Sequence, residues 1–418
     1  MTPKGPLAAL LALSLVAATG CASSGRHTGS ATVTTGHPAS TAAATTGRSA
    51  TTGSTTTSAP PACSNLSVIQ TWPLRQRVMR LVVAPSLNFN LAQLGSVIAA
   101  GVGGVLFLGS GAPPSDLAKL VATAQANPVG GVPVLTMADE EGGGIQRLNG
   151  LVLSFAWPRQ LAAGDSTAKV ESLAHTVGTQ LRAAGVDMDL APVLDVDGGA
   201  GPNNQNPDGE RSFSAVPSVA ASYGVAFLEG LAAGGELSTV KHFPGLGGST
   251  GNSDAGPAHT LPFATLQAQA YPPFRAAIAA GAPAVMVAND TVPGLTTTPA
   301  SLSATVIQGQ LRDALKFHGA VVTDSLSAGA ISSAGYTVPE ASVAAVEAGA
   351  DLVLFGATGT TGQISSLAPS QVLITVNNIA SALAFAVSEG ALSESAVDEA
   401  VAQVVALTRV NLCGHSGT

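Results

Sequence analysis

Charge is scarce in this 418-residue sequence: Lys, Arg, Asp and Glu together make up 10% of it. The 17 basic and 25 acidic residues leave a net charge of −8 with no basic cluster, which argues against a nucleic-acid partner and favours a neutral or weakly charged ligand. Aromatic residues are 4% of the chain while glycines number 48, a balance that suggests many short connections between tightly packed elements. The one early apolar run, Leu7 to Ala18, is too short to cross a bilayer, which takes about 20 residues. No Gly-x-Gly-x-x-Gly follows the first apolar strand, which weakens a dinucleotide-binding reading. No Cys/His cluster has metal-ligand spacing, so neither a metal nor a cofactor is expected.

What remains is a hydrophobic content of 46%, enough for a large core. Ahead of that core lie two segments of another kind. Lys4, the apolar run and then Ala18-Thr19-Gly20-Cys21 read as a lipoprotein signal over residues 1–20, with Cys21 lipidated; an ordinary secretory peptide with a chance cysteine is the alternative. From Ala22 to Pro61 the composition is mostly Ser, Thr, Gly and Ala, too apolar-poor to fold, so residues 21–62 read as a lipidated cysteine and its flexible tether. The expected location is extracytoplasmic, held at the membrane by the lipid. Cys63 and Cys413 bracket the folded part, 63–413, and leave a tail at 414–418. In an oxidising compartment they can pair and close a loop around the whole domain; two free buried thiols are the other possibility.

Within the folded part about eight apolar β-type runs recur: Leu81 to Ala84, Gly104 to Leu108, Val132 to Met137, Val186 to Val193, Leu237 to Phe243, Ala284 to Ala288, Ala320 to Thr323 and Asp351 to Phe355. Between them lie alanine-rich stretches of helical period, such as Leu91 to Ala100, Ala168 to Ala184, Leu266 to Ala280 and Pro339 to Ala348. Continuous apolar strands alternating with helices mean a parallel sheet buried on both faces. The number of units favours a closed (β/α)8 barrel of TIM type, as a single folded domain, over an open doubly wound sheet. Active sites of such barrels sit at the C-terminal ends of the strands. Those ends hold Asp139, Asp195, Lys241 with His242, Asn289 with Asp290, and Asp324. After Lys241 and His242, Pro244 breaks the pairing, and a glycine-rich arm carries Asn252, Asp254 and His259.

Five stretches carry a resemblance: Ala138-Asp139-Glu140-Glu141-Gly142-Gly143 with Gln146-Arg147-Leu148, Ala191-Pro192-Val193-Leu194-Asp195, Gly209-Glu210-Arg211-Ser212-Phe213, Lys241-His242-Phe243-Pro244-Gly245, and Thr323-Asp324-Ser325-Leu326-Ser327. In order and spacing the chain from about Leu66 to Leu412 resembles the single-domain β-N-acetylglucosaminidases of glycoside hydrolase family 3. The resemblance implies a retaining hydrolase that removes terminal β-linked N-acetylglucosamine from peptidoglycan-derived fragments, with a carbohydrate as its partner and a monomer as its state. It implies Asp324 as nucleophile, and Asp139, Arg147, Arg211, Lys241 and His242 as the residues that bind the sugar.

The sequence departs from the family on the arm. The family places Asp-Ser-His where this chain has Asn252-Ser253-Asp254, and Leu246 replaces the histidine of Pro-Gly-His-Gly. Three readings stay open. Asp254 is itself the acid/base, with Asn252 as a partner able to bond its carboxyl. Or the arm takes another path and His259 supplies the proton. Or the acid/base is lost, leaving a weakly active enzyme or a non-catalytic glycan-binding lipoprotein. Gly144 stands where the family often has arginine and Asn289 where it often has histidine, changes expected to enlarge or neutralise the mouth.

Overall fold

The computed structural model describes residues 63–109, 111–356 and 368–415. The proposed signal, Cys21, the tether and the last three residues lie outside them. Eight parallel strands run in the order of the chain: β1 (Val82–Leu87), β2 (Gly104–Leu108), β3 (Leu135–Ala138), β4 (Met188–Asp189), β5 (Leu237–Phe243), β6 (Ala284–Val287), β7 (Ala320–Thr323) and β8 (Val353–Leu354). Each pairs with its neighbour, β8 pairs with β1 through Val82–Val353 and Val83–Leu354, and a bridge between Val322 and Leu352 joins β7 to the start of β8. The sheet is a barrel.

Strand alternation explains why these runs are apolar throughout. Val83, Leu106, Met137, Met188, Met286, Val322 and Leu354 pack together as one buried cluster inside the barrel. Their neighbours Val82, Val105, Val240, Val285, Val321 and Val353 face the other way, into the larger core under the helices. A strand with two buried faces has no position for a charge except at its end, and that is where the charged residues stand.

The helices begin and end where local chemistry satisfies their free backbone groups. Asn90 accepts from the Gln93 amide at the start of Leu91–Ala100, which ends on Gly101 at φ 80°. Thr337 and Glu340 form a reciprocal capping box on Val338–Ala348. The expected single helix from Leu266 to Ala280 is instead two, Phe263–Gln269 and Tyr271–Ala279, because Pro272 and Pro273 lack the N–H groups an unbroken helix needs. Likewise the expected strand from Val186 to Val193 is laddered only at β4 and at a Val193–Lys241 bridge, with Pro192 between them. Helix Pro369–Ser388 has no charged residue. Val372, Val376, Ile379 and Leu383 are fully buried at i, i+4, i+7 and i+11, the stripe of an outer-ring helix seated on a core.

The two ends of the domain meet. Asn65 donates to the Val410 carbonyl and accepts from the Leu412 amide, each at 2.8 Å. Beside them Cys63 and Cys413 form a disulfide, with Cα atoms 5.9 Å apart at a sequence separation of 350. Closing so long a loop restricts the unfolded chain by about 3–5 kcal/mol. Cys413→Ser is therefore expected to lower the calorimetric melting temperature by roughly 5 °C; an unchanged midpoint contradicts a stabilising role for the cross-link.

Candidate active site

The site begins with β5, the longest strand, which delivers Lys241 and His242 to the rim. Lys241 is buried, and its Nζ lies 2.6 Å from Asp139 Oδ1 and 2.6 Å from Glu141 Oε1. Arg211, from the turn Gly209–Arg211, reaches the same glutamate with two donors, Nε to Oε2 at 2.7 Å and Nη2 to Oε1 at 2.9 Å. Burial alone raises the pKa of Glu141, but the charges of Arg211 and Lys241 overcome it and hold the carboxyl far below the usual range. Burial lowers that of Lys241, and Asp139 and Glu141 more than reverse it. Asp139 and Arg211 are half-buried, while Lys241 and Glu141 are buried.

His242 is held from both ring nitrogens. Nδ1 lies 2.6 Å from Asp195 Oδ2, and Nε2 lies 3.1 Å from Arg211 Nη2. A guanidinium only donates, so Nε2 accepts and the proton sits on Nδ1, facing the carboxylate. Asp195 also accepts from the Leu246 amide at 2.7 Å, which ties the first turn of the arm to the barrel. Asp208 is buried next to this pair, its pKa raised by burial and by the charge of Asp195. Asp195, Asp208 and His242 offer donor atoms within 4.8 Å of one another. The set does not fit a metal: Nδ1 carries a proton directed at Asp195, and Arg211 already supplies positive charge.

Arg147 follows a two-stranded ribbon, Glu140–Gly142 with Ile145–Gln146. Buried Glu140 accepts from the backbone amides of Arg147 at 2.6 Å and Leu148 at 2.5 Å. Burial raises its pKa to about 7 against those bonds. The Arg147 Nε is shielded and has no hydrogen-bond partner among the described residues.

Asp324 ends β7, its amide bonded to the Val287 carbonyl of β6 at 2.9 Å and its Oδ1 accepting from Ser325 N at 2.6 Å. The arm lies docked beside it. The carbonyls of Ser253 and Asp254 accept from the amides of Ala330 and Gly329, both at 2.9 Å, in the segment that follows Asp324. Asp254 is half-buried, and burial with the charge of Asp324 raises its pKa to about 7, Arg211 acting in the opposite sense and Asp290 and Asp139 adding to the rise. Gly247 makes the docking possible, since a Cβ there would lie 2.0 Å from the Val196 carbonyl oxygen.

Asp139, Arg211, Lys241 and His242 thus converge at one rim. Three expectations change. Asn252 bonds the backbone amide of Asp254 at 2.9 Å, not its carboxyl, because a side chain this short closes a turn two residues on. His259 is exposed, with Nδ1 paired to the Thr291 hydroxyl and its backbone bonded to Thr250. Asn289 is fully buried: it donates to the Ser325 carbonyl at 2.7 Å and accepts from Ser301 at 2.6 Å, so it braces two strand ends and does not widen the mouth. Sequence reasoning gave no role to Glu141. Its signal was present, an acidic residue next to Asp139 in a chain so poor in charge.

Gly329 tests the docking of the arm. A Cβ there would lie 2.7 Å from both Ala255 C and Gly256 N, backbone atoms that cannot yield without moving the arm. Gly329→Ala is expected to lower turnover about 10-fold or more while leaving sugar affinity within about twofold, read by steady-state kinetics and calorimetric binding; unaltered turnover contradicts it.

The sequence profile described as "Glycosyl hydrolase family 3 N terminal domain" matches residues 74–407. The chain is 33% identical over 297 residues to a protein of Mycobacterium tuberculosis named beta-hexosaminidase LpqI, covering 68% of this chain and 71% of that one. Among solved structures it is similar to a family 3 glycosyl hydrolase of Mycobacterium smegmatis, with a TM-score of 0.72 at 30% identity over 81% of this chain and 98% of the other. It is also similar to a family 3 beta-N-acetylglucosaminidase of Paenibacillus, with a TM-score of 0.71 at 33% identity over 83% of this chain and 64% of that one.

Proposed function

Since the chain belongs to glycosyl hydrolase family 3, we propose that it is a retaining β-N-acetylhexosaminidase in which Asp324 is the nucleophile and Asp254 the acid/base. The observation that carries this reading is the docking of Asp254 beside Asp324 through the backbone bonds to Gly329 and Ala330. The relatives' names support the sugar, N-acetylglucosamine, and the lipoprotein-like leader supports cell-wall fragments as its source, met outside the cytoplasm by a domain tethered through Cys21. The disulfide between Cys63 and Cys413 fits an oxidising compartment.

Asp139, with Lys241 holding its orientation, accepts from sugar hydroxyls; Arg211, His242 and Arg147 complete the terminal subsite. In the first step an Asp324 oxygen bonds to the anomeric carbon as the glycosidic bond breaks, and Asp254 gives its proton to the leaving oxygen. In the second, water attacks the same carbon, Asp254 takes the water's proton and Asp324 leaves. One charge serves both steps. Ionised Asp324 raises the pKa of Asp254, which keeps it protonated for the first. Once Asp324 is esterified that charge is gone, the pKa of Asp254 falls, and it becomes a base.

His259 does not fit the role, being exposed and bonded to Thr291. A binding-only role has no observation in its favour, since both carboxyls of a retaining pair stand at the site.

A slow fluorinated N-acetylglucosaminyl donor should leave a sugar adduct on the Asp324 peptide in mass spectrometry; measurable sugar binding with no adduct contradicts the proposal. Asp254 acts first as an acid, so kcat/KM should be retained below about pH 7 and fall at least about 10-fold per unit above it. A profile flat from pH 6 to 9 removes Asp254 from the first step.

A further inference from the structure

At the start of the arm one hydroxyl has two partners and one hydrogen. Ser249 Oγ lies 2.5 Å from Asp290 Oδ1 and 3.0 Å from the carbonyl oxygen of Gly251. A carbonyl oxygen only accepts, and so does an ionised carboxylate. Ser249 can give its hydrogen to one of them. Each contact has a hydrogen of its own in one arrangement alone, in which Asp290 is protonated and donates to Ser249 Oγ while Ser249 donates to Gly251.

The surroundings favour that arrangement. Asp290 is 1% exposed and is fixed from its own backbone, whose carbonyl accepts from the Ala300 amide at 2.9 Å. Asp324 faces it from the end of β7, Asp195 from the loop after β4, and Asp254 from the arm. Arg211 acts on Asp254 from across the mouth, and the exposed His259 is bonded to the adjacent Thr291. Burial, with the charges of Asp324 and Asp195 added, raises the pKa of Asp290 to about 7 despite the hydroxyls of Ser249 and Ser253.

We propose that Asp290, as the neutral acid, is a positioning residue: its proton fixes the turn from Ser249 to Gly251 and thereby seats Asp254 beside Asp324. The link is short. Gly251 is followed by Asn252, whose side chain holds the Asp254 amide. The inference rests on Asp254 as the acid/base, and it adds a second ionisation to the loss of activity at high pH. Below about pH 7 the turn is closed; above it Asp290 ionises, Ser249 turns its hydrogen to the carboxylate, and the Gly251 carbonyl is released.

The test is amide hydrogen exchange of the 246–256 segment by mass spectrometry from pH 5.5 to 8.5, corrected for the intrinsic rate, in the full chain and in Asp290→Asn, Asp290→Ala and Asp254→Asn. Protection in the unaltered protein should step down near pH 7. Asp290→Asn, whose amide donates to Ser249 at every pH, should remove the step and keep the protection. Asp290→Ala should be unprotected throughout. The alkaline limb of kcat/KM should approach about 100-fold per unit in the unaltered protein and about 10-fold in Asp290→Asn. Protection without a step, or a step that persists in Asp290→Asn, overturns the proposal. Failure of the acid/base reading shows separately, as full turnover in Asp254→Asn with the exchange step intact.

Discussion

The site is organised by one buried carboxylate, Glu141. It takes Lys241 from β5 and both donors of Arg211 from the 209–211 turn, and the same Lys241 then holds Asp139. Two cations drawn out of water need such a partner. Removing one member of a buried ion pair costs about 3–5 kcal/mol, because the remaining charge has no solvent to accept it. Three segments distant in sequence are thereby fixed relative to one another before any sugar arrives. What stays partly exposed is Asp139 and Arg211, beside His242, which is buried in a single tautomer.

Against that rigid half stands a second half governed by negative charge. Burial raises the pKa of Asp254 and of Asp290, the charge of Asp324 adds to both and that of Asp195 to Asp290, and the arm that carries Asp254 is held mostly by backbone hydrogen bonds and close glycine contacts. Burial first, and like charges second, keep these two carboxyls neutral at pH values where aspartate is normally ionised. Asp254 on the arm and Asp290 after β6 are thus parts of one electrostatic arrangement.

Much of this was legible in the sequence. The strands Gly104 to Leu108, Leu237 to Phe243 and Ala320 to Thr323 fall where their apolar runs begin and end, because a parallel strand buried on both faces leaves a continuous signal. Asp139, Lys241, His242 and Asp324 follow from their places at strand ends and from the motifs around them. Other features were out of reach. The short helices Asn65–Ile69, Leu74–Met79 and Pro158–Gly164 have too few turns for a clear period. Asn289 reads as a mouth residue until its bonds to Ser301 and Ser325 are seen. The pairing of Ser249 with Asp290 joins residues 41 apart, and nothing in either residue's local sequence signals it.

The central claim is that Asp254 moves the proton. Asp254→Ala, assayed on an aryl N-acetylglucosaminide with an activated leaving group, forms the glycosyl-enzyme without needing an acid and then lacks the base to hydrolyse it. Added azide, a nucleophile that needs no base, should restore turnover and yield the β-glycosyl azide, with retained configuration. No rescue and no azide product, with steady-state rates equal to those of the unaltered protein, would contradict the account and leave Asp254 without a part in the reaction.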